Sequence, residues 1–366
     1  MDADLVTRYL RHVAHPRVGT RLLARLLQCH GNLDAVQSAL RAECPELDCA
    51  ADRSSADEER QTEAALEWSA GDGCTLLLFE QTSYPALLRE IDCPPPLLFV
   101  QGDVGALSLP TIAMVGARRC SEYGRQQALW LATELAARGL VISSGLAQGI
   151  DAAAHQGALA GGGVTVAVLG TGIDRVYPQS HEDLAERIKN RGALVSEFPL
   201  GMPALPANFP RRNRIVTGLA LAALVVEAGL RSGSLISARL ATEQNREVLA
   251  VPGAINRATA RGCHQLIRQG AKLIEGPEDV LEELPAQVQN KLHPQIDVEQ
   301  TAAENRHQLP ASALLILEQL EGGSSLYDTL LERTRLPASE LTALLLELQM
   351  AGLVKNQSGR YLSVRS

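Results

Sequence analysis

Between residues 111 and 274, short apolar runs alternate with stretches of helical periodicity, and this alternation constrains the fold more than any other feature of the chain. The runs are too short to be helices, and glycine bounds most of them. The predicted strands are Thr111–Val115, Leu140–Ser143, Val164–Leu169, Ala193–Ser196, Ala222–Val226, Glu247–Val251 and Lys272–Ile274, and the predicted helices cover about 122–138, 150–160, 181–190, 212–219, 234–245 and 262–269. Apolar strands joined through helices predict an α/β fold with a parallel, doubly wound sheet.

The residues before this region have a helical pattern. Four leucines at helical spacing follow the turn Pro16-Arg-Val-Gly19, and Gly31-Asn32 is expected to end their helix. The polar stretch 50–59 is expected to be a loop. We therefore predict a helical domain over 1–72 and the sheet domain over 73–284.

The C-terminal part of the chain predicts a linker and a third domain. Residues 285–308 lack periodicity and contain scattered Pro, Gln and Asn, which is typical of a linker. Two helices (about 311–320 and 325–333) and a longer one after Pro337 precede a polar–apolar alternation around a Ser-Gly turn, the signal of a β-hairpin. Three helices followed by a hairpin predict a winged helix over 309–366.

The net charge of −8 is unevenly distributed along the chain. Residues 105–280 hold 18 Lys+Arg and 14 Asp+Glu, a net of +4, and the remainder holds 16 basic and 28 acidic residues, a net of −12. Local clusters outweigh the total, because salt screens charges over about 10 Å. A basic middle region between acidic ends favours a polyanionic partner for the sheet domain.

Other features predict a cytoplasmic protein. The sequence has no run of about 18 apolar residues, so no membrane span is expected. The acidic start Met1-Asp-Ala-Asp4 lacks the pattern of a signal peptide. The seven cysteines are scattered, without CxxC pairs or zinc spacing, which indicates reduced thiols.

Cofactor motifs are missing from the predicted sheet. Arg118 stands where the second glycine of a dinucleotide motif beginning at Gly116 belongs, and Arg175 stands where the third glycine after Gly170 belongs. The sequence also lacks a P-loop, a GxSxG elbow and a histidine metal motif. We therefore expect no cofactor, no metal and no catalytic site.

The loops that leave the predicted strands carry the candidate ligand groups, because ligands of doubly wound sheets bind beyond the carboxyl ends of the strands. Arg118 and Arg119 follow the first strand, and a later exit leads to the segment Asn208-Phe-Pro-Arg-Arg-Asn-Arg-Ile215. Guanidinium groups this dense suit phosphate. Ser232-Gly-Ser234 precedes a predicted helix, whose free N–H groups attract anions. The strand exits therefore predict a polyanion site.

Each candidate also has a structural interpretation. The two arginines after the first strand could form a solvated turn, and Ser232-Gly-Ser234 could be only a helix cap. No acidic residue lies between Phe198 and Glu227, so local ion pairs for the arginine run are not expected. Tyr123 and Phe209 either belong to the core or stack on bases, a contact of about 1–3 kcal/mol.

Asp151 and His155 lie four residues apart on a predicted helix. We interpret them as a helix-surface pair rather than a catalytic dyad, because no nucleophile accompanies them. Asp151 is expected to cap or orient a loop.

Ordered motifs over most of residues 80–275 resemble the DprA/Smf family of DNA-processing proteins. The matching segments are Met114-Val-Gly-Ala-Arg-Arg119, Ser144-Gly-Leu-Ala-Gln-Gly-Ile-Asp-Ala-Ala-Ala-His155, Leu169-Gly-Thr-Gly-Ile-Asp-Arg-Val-Tyr-Pro178, Ser196-Glu-Phe-Pro-Leu-Gly201, Phe209-Pro-Arg-Arg-Asn-Arg-Ile215, Ser232-Gly-Ser-Leu-Ile-Ser-Ala-Arg239, Arg246-Glu-Val-Leu-Ala-Val-Pro-Gly253 and Gly262-Cys-His-Gln-Leu-Ile-Arg-Gln-Gly-Ala271. The resemblance is specific because many motifs occur together and in order. It implies an extended Rossmann domain, a C-terminal winged helix and an N-terminal SAM-like or helix-hairpin-helix unit.

The resemblance implies a non-enzymatic function. Family members bind single-stranded DNA cooperatively, protect it, and load RecA recombinase past single-strand-binding protein during natural transformation, as dimers or higher assemblies. The DNA-contact candidates that it implies are Gly116, Arg118, Arg119, Phe209, Arg211, Arg212, Asn213, Arg214, Ser232, Gly233 and Ser234. Weaker candidates for the dimer or RecA surface are Leu266, Ile267, Leu273 and Ile274. His264 stands where relatives often have asparagine, so no role is carried to it.

The terminal domains differ in charge. Residues 8–25 contain five arginines and no acids, which leaves open an accessory DNA-backbone contact or a solvated helix. The expected recognition helix Ala338–Met350 carries Glu340 and Glu347 and no Lys or Arg. Because a DNA-reading helix contributes phosphate contacts, the winged helix is predicted to contact protein, or DNA only through Lys355 and Arg360 of the wing.

Two rival functions use a similar fold. Nucleotide phosphoribohydrolases of the LOG type carry a Pro-Gly-Gly-x-Gly-Thr motif and a downstream glutamate, whereas Gly161-Gly-Gly163 here lacks the proline and the properly spaced threonine. A nucleotide-sensing scaffold that binds no DNA is the third alternative.

Overall fold

A computed structural model of the protein describes residues 3–14, 18–44, 56–290, 292, 311–320, 325–334, 336–337, 340–342, 344–345, 348, 354–357 and 360–363. The chain forms two compact units, Met1–Leu292 and His293–Ser366. Within the described residues, no helix is both long and apolar enough to cross a membrane.

A nine-stranded sheet forms the centre of the first unit. Its strands are β1 Cys74–Leu78, β2 Leu97–Gly102, β3 Thr111–Val115, β4 Val141–Ser144, β5 Thr165–Val168, β6 Ala193–Ser196, β7 Ala222–Val225, β8 Glu247–Ala250 and β9 Lys272–Leu273. Their order is β1-β2-β6-β5-β4-β3-β7-β8-β9. Strands β3 to β9 are parallel, whereas β2 pairs antiparallel with β1 and β6. All residues of β3 to β7 are buried, as expected for parallel strands covered on both faces.

Helices precede the sheet and cover both of its faces. They are α1 Ala3–Ala14, α2 Gly19–His30, α3 Leu33–Glu43, α4 Ala56–Ser69, α5 Ala86–Arg89, α6 Glu122–Ala137, α7 Ile150–Ala160, α8 Glu182–Lys189, α9 Asn208–Gly218, α10 Ser234–Glu243, α11 Arg261–Arg268, α12 Pro277–Glu282 and α13 Ala286–Gln289. Alternate residues of β3 enter different cores: Ile112 and Met114 pack with α6 and α7, whereas Ala113 and Val115 belong to the core of the other face.

The predicted fold class is confirmed, and the seven predicted strands end within one residue of the observed ends. The largest difference among the predicted helices is at α9, which begins at Asn208 rather than at 212. Its Pro210 lies in the first turn, where a missing N–H leaves no helical hydrogen bond unmade. Strands β1 and β2 were not predicted, because a long proline-containing connection separates them instead of a hairpin turn.

The N-terminal helices share a core with the sheet. Tyr9 of α1 and Leu23 of α2 are fully buried in the same apolar cluster as Leu76 of β1. The proposed domain boundary at residue 72 therefore crosses a continuous core and stays a prediction. The expected loop at 50–59 is helical from Ala56, and residues 51–55 lie outside the described residues.

The second unit has its own small core. Helices α14 Ala311–Leu320 and α15 Tyr327–Thr334 accompany strands β10 Ser325–Leu326, β11 Val354–Gln357 and β12 Arg360–Ser363, which form a three-stranded sheet. Ile316, Leu330 and Leu345 are among its buried residues. The predicted hairpin is confirmed as the β11–β12 pair. Glu340 is exposed, whereas Glu347 and the side chains of Lys355 and Arg360 lie outside the described residues.

The first residues of the predicted linker are helical. Residues 286–289 form α13, and residues 293–308 lie outside the described residues.

Candidate nucleic-acid interface

A cleft opens where the strand order of the sheet reverses. The neighbours of β3 are β4 and β7, so the chain moves away from β3 in opposite directions on its two sides. The cleft has a volume of about 680 Å³, and its walls come from the loops after β3, β4, β5, β6 and β7 and from α9 and α10. The cleft therefore lies at the edge that the strand-exit rule predicts for a ligand.

Most of the predicted DNA-contact residues line this one cleft. They are Gly116, Arg118, Arg119, Phe209, Arg212, Asn213, Ser232, Gly233 and Ser234. Tyr177 and Arg231 also line it and were missed. Arg231 precedes the Ser-Gly-Ser turn and was visible in the sequence as one more cation at a strand exit. Tyr177 lies within the quoted motif after β5, but no charge or glycine pattern marked it.

Two glycines make room for the walls of the cleft. A Cβ atom on Gly116 would lie 2.5 Å from a side-chain carbon of Ile150, and one on Gly170 would lie 2.8 Å from the ring of Phe209. Side chains at these positions would collide with α7 and displace the aromatic ring. These strand exits therefore use glycine for close approach, without forming a dinucleotide motif.

Arg212 is a buried cation at the base of the cleft. Its exposed fraction is 3%, and its Nε has no hydrogen-bond partner. The guanidinium packs so closely on Gly145 that a Cβ there would lie 1.6 Å from Nη1. Burial lowers the pKa of Arg212 to about 10, although the nearby Asp151 carboxylate opposes the shift. The group is still charged at neutral pH and has no carboxylate within ion-pair distance among the described residues.

Arg211 and Arg214 have a different environment, which corrects the sequence argument about local pairing. Glu197, one residue before the stretch that lacks acids, accepts hydrogen bonds from Arg214 Nη2 at 2.7 Å and Arg211 Nη2 at 3.2 Å. Arg214 also donates to the carbonyl of Cys93 at 2.9 Å. Burial lowers the pKa of Arg214, but the Glu197 carboxylate outweighs burial and raises it. Neither arginine lines the cleft, so the structure separates them from the other candidates.

Phe209 is held between two side chains at the cleft. Its ring centroid lies 5.2 Å from the Arg118 guanidinium carbon and 5.6 Å from the ring centroid of Tyr177. Tyr177 is half exposed, and Phe209 is partly buried. Tyr123, the other aromatic candidate, lines a separate pocket with Glu227 and Arg257.

The start of α10 supplies another part of the wall. Gly233 is the N-cap residue and makes no side-chain cap, so the first amides of the helix are not capped by a side chain at that position. Ser232 Oγ lies 2.6 Å from Ser234 Oγ and 3.4 Å from the amide nitrogen of Ser234. The turn combines a weak cap with two hydroxyls beside a helix N-terminus, which is favourable for anions.

Asp151 orients the loop after β4, as expected. Its carboxylate accepts from the amide of Gly145 at 3.2 Å and from the amide of Ala147. Burial raises its pKa, and Arg212 opposes that shift.

His155 is fully buried, so the interpretation as a helix-surface residue was wrong. His155 lies on the buried side of α7, beside Thr165 of β5, whereas Gln156 of the same helix is exposed. The Thr165 hydroxyl donates to Ile142 O, so the 2.7 Å contact requires His155 Nδ1 to donate to Thr165 Oγ1. Nε2 is then a bare acceptor, and burial with the neighbouring Arg212 lowers the pKa of His155 to about 3.

The candidate dimer residues differ in exposure. Leu273 on the edge strand is 39% exposed, and Leu266 and Ile267 of α11 are partly buried. Ile274 is fully buried in the core, so it is removed from the candidates for a surface contact. His264 Nε2 lies 3.3 Å from the amide nitrogen and 2.9 Å from the carbonyl oxygen of Gly253. It accepts from the first or donates to the second, according to its tautomer.

The N-terminal arginines are not equivalent. Arg8 pairs with Asp34 and lies near Asp4, whereas Arg21 and Arg25 are exposed. Arg17 lies outside the described residues. Within the described part of the chain, no cluster of three or more His, Cys, Asp or Glu is placed to hold a metal.

The doubly wound sheet with a cationic cleft at its strand exits defines an α/β protein of the Rossmann-like class. The family model of DNA recombination-mediator protein A matches residues 75–285, and that of the DprA winged helix domain matches residues 300–360. The chain therefore belongs to the DNA recombination-mediator protein A family.

Individual relatives support the same family assignment. Protein Smf of Escherichia coli (strain K12) is 41% identical over 311 residues, which are 84% of this chain and 82% of that protein. The X-ray structure of DNA processing protein A from Streptococcus pneumoniae has a TM-score of 0.65 and 35% identity, and covers 76% of this chain and 96% of its own. DNA processing protein A from Helicobacter pylori, whose structure concerns a single-stranded DNA binding mode, has a TM-score of 0.53 and 29% identity. The match covers 58% of this chain and 97% of that chain.

Proposed function

We propose that this protein binds single-stranded DNA in the cleft at the strand exits and acts as a recombination mediator. In this role it protects incoming DNA and loads RecA past single-strand-binding protein during natural transformation, as a cytoplasmic homodimer. The observation that carries the proposal is Arg212, a buried cation at the cleft that has no carboxylate within ion-pair distance among the described residues. A buried charge is costly unless it is paired, so a bound phosphate is its expected partner.

The other groups of the cleft support a phosphate chain rather than a single phosphate. Arg118, Arg119 and Arg231 are exposed along the walls, and the start of α10 faces the same space. The four arginines are spread over the loops after β3 and β7 and over α9, so they can neutralise successive phosphates.

The aromatic side chains favour a single strand. Phe209 and the half-exposed Tyr177 can stack only on bases whose faces are free, and the faces of duplex bases are occupied by their neighbours. Stacking tolerates any base, so little sequence preference is expected. The relative from Helicobacter pylori, with its single-stranded DNA binding mode, supports the same choice.

Family membership supports the mediator role, and the proposed role is binding rather than turnover. Turnover of a nucleoside monophosphate by the purified protein would contradict it. A pull-down with RecA and a loading assay on strands coated with single-strand-binding protein test the mediator step. Strand binding without RecA capture or loading would restrict the protein to protection.

DNA binding is tested with labelled single- and double-stranded oligonucleotides across a salt series. If the four arginines each contact a phosphate, the logarithmic salt slope for a single strand is about −3, at about −0.7 per contact. Arg118→Ala should weaken binding and reduce the magnitude of the slope by about 0.7. Arg191→Ala is the control, because Arg191 is exposed at the opposite edge of the sheet. Salt-insensitive binding, or equal behaviour of the two variants, would refute the cleft as the phosphate site.

A further inference from the structure

A second pocket borders the first turn of α9, beside the cleft. It has a volume of about 260 Å³ and lies between the N-terminal helices and the segments around β2 and β6. Its walls are mostly apolar, and Leu10, Val13 and Phe198 are among them. The cavity therefore offers apolar surface close to the proposed DNA path.

Asn208 provides a polar group inside this pocket. Its exposed fraction is 9%, and its amide Nδ2 has no hydrogen-bond partner. Buried amide donors in native structures are almost always satisfied, because leaving one unpaired is unfavourable. An unpartnered donor that lines a cavity points to a ligand that brings an acceptor.

Arg211 adds a positive charge at the same pocket. Its guanidinium lies 5.5 Å from the ring centroid of Phe198, and its side chain is 46% exposed. The acid that it contacts, Glu197, is also bound by Arg214. Two arginines and one glutamate leave a net charge of +1, so the cluster can still attract a phosphate.

The pocket and the cleft are neighbours along one stretch of chain. Met202 and Leu205 line the pocket, whereas Ala204 and Pro206 line the cleft. Leu205 is 45% exposed. A strand that leaves the cleft has only this short segment to cross before it reaches the pocket.

We propose that the second pocket receives an unpaired nucleobase of the strand held in the cleft. The apolar walls contact the faces of the base, the Asn208 amide donates to a base carbonyl or ring nitrogen, and Arg211 pairs with the adjoining phosphate. Each of the four bases carries such an acceptor, so the pocket confers no strong sequence preference. The inference rests on the proposed binding in the cleft and extends the site to the junction with the N-terminal helices.

Photo-crosslinking of the full-length wild-type protein tests this assignment without a variant. The protein is irradiated in complex with single-stranded oligonucleotides that each carry one 5-iodouracil, and mass spectrometry maps the crosslinked positions on the protein. Fluorescence anisotropy measures the affinity of the same oligonucleotides separately. Crosslinks to Tyr177 or Phe209 and also to Phe198 are expected, with fragmentation spectra assigning each crosslink to its residue, because Phe198 and Phe209 share one tryptic peptide. Bound DNA with crosslinks only to the cleft residues would overturn the second pocket and leave the cleft standing. Absence of binding would overturn both.

Asn208→Leu provides an independent measurement. Loss of one hydrogen bond is expected to weaken a long strand about fivefold. The shortest strand that binds, which occupies only the cleft, should be unaffected. Asn190→Leu makes the same change at an exposed position beyond α8 and should alter neither affinity. An equal loss of affinity for both strand lengths, or no loss of affinity, would overturn the proposal. Thermal denaturation reports whether Asn208→Leu folds. If it does not fold, the crosslinking result decides.

Discussion

Arg212 and Arg214 are two residues apart, but their charges are compensated differently. Arg214 shares the buried carboxylate of Glu197, whose side chain is 1% exposed. Arg212 faces the cleft with an unpartnered Nε. At the residue scale, one arginine therefore contributes mainly to the fold, and the other is available for a ligand.

Methionine substitutions should separate these two roles. Arg212→Met is expected to weaken single-stranded DNA binding and to cost less stability than Arg214→Met, because Arg212 has no ion pair and only its attraction to the nearby Asp151 is lost. Arg214→Met removes the principal partner of Glu197 and should cost about 3 kcal/mol of stability. Urea denaturation and anisotropy measure the two effects.

The double variant Arg214→Met/Glu197→Met is the control for this pair. It should recover much of the stability lost in Arg214→Met, because no buried carboxylate then lacks a partner. Loss of stability in Arg212→Met as large as in Arg214→Met would contradict the division of roles.

His155 predicts a specific pH dependence. Its pKa is about 3 in the folded protein and ordinarily 6.5, so the unfolded chain takes up a proton at a pH where the folded protein does not. Stability from this group is complete above pH 6.5 and is lost as the pH falls from 6.5 towards 3. The free energy of unfolding should fall by about 2 kcal/mol between pH 7.5 and pH 5 through this group alone.

His155→Gln should remove that part of the pH dependence, as measured by urea denaturation at both pH values. His30→Gln is the control, because His30 is exposed at the end of α2. An unchanged pH dependence in His155→Gln would refute the neutral, buried state of the ring.

At the element scale, the loops between strands and helices position the charged groups of the cleft through close contacts. The loop after β4 passes under the Arg212 guanidinium at Gly145, and Asp151 of α7 holds that loop through two backbone amides. The loop after β7 ends in a weakly capped helix start. Arg212 is thus positioned by a loop that carries no charge of its own.

Gly145→Ala should therefore reduce DNA binding although it removes no charge. The added carbon would lie 1.6 Å from Arg212 Nη1, so the guanidinium must move. Single-strand affinity should fall, and the magnitude of the salt slope should decrease by about 0.7, as in Arg212→Met.

Gly233→Ala is the matched control in the same cleft. A Cβ at Gly233 meets no heavy atom within 4 Å, and its φ of −61° suits alanine. Its salt slope should remain at the wild-type value, because the added carbon displaces no arginine. If Gly145→Ala behaves like Gly233→Ala, or adds a further loss on top of Arg212→Met, the proposed steric link is wrong.

At the scale of the whole molecule, the two compact units each have their own core. The cleft and the second pocket both belong to the first unit. The second unit matches the family's winged helix, and residues 309–366 contain five basic and six acidic residues. This balance does not favour a strong phosphate-binding surface.

A protein ending at residue 292 should therefore fold and retain its single-strand affinity. Circular dichroism and thermal denaturation check the fold, and anisotropy checks binding at several salt concentrations. A loss of more than about tenfold, which is 1.4 kcal/mol, would show that the winged helix contributes directly to DNA contact. An unchanged affinity with lost RecA capture would favour its predicted role in protein contact.

The sequence alone determined the parallel strands of the central sheet and the edge at which the cleft lies. Strands β3 to β7 are buried and leave continuous apolar runs, and glycine follows most of the strands, so the ends of β3 to β9 could be predicted within one residue. The rule for strand exits then selected the loops that form the cleft. Neither prediction required information about contacts between residues that are far apart in the sequence.

Only the tertiary structure decided which charged and titratable groups are paired and which are buried. The Glu197–Arg214 pair joins the end of β6 to α9, and the buried His155 of α7 meets Thr165 of β5. The antiparallel strands β1 and β2 join the sheet through β6, far along the chain. Local patterns report which face of an element is apolar, whereas pairing and burial of a charge depend on elements that meet only when the chain has folded.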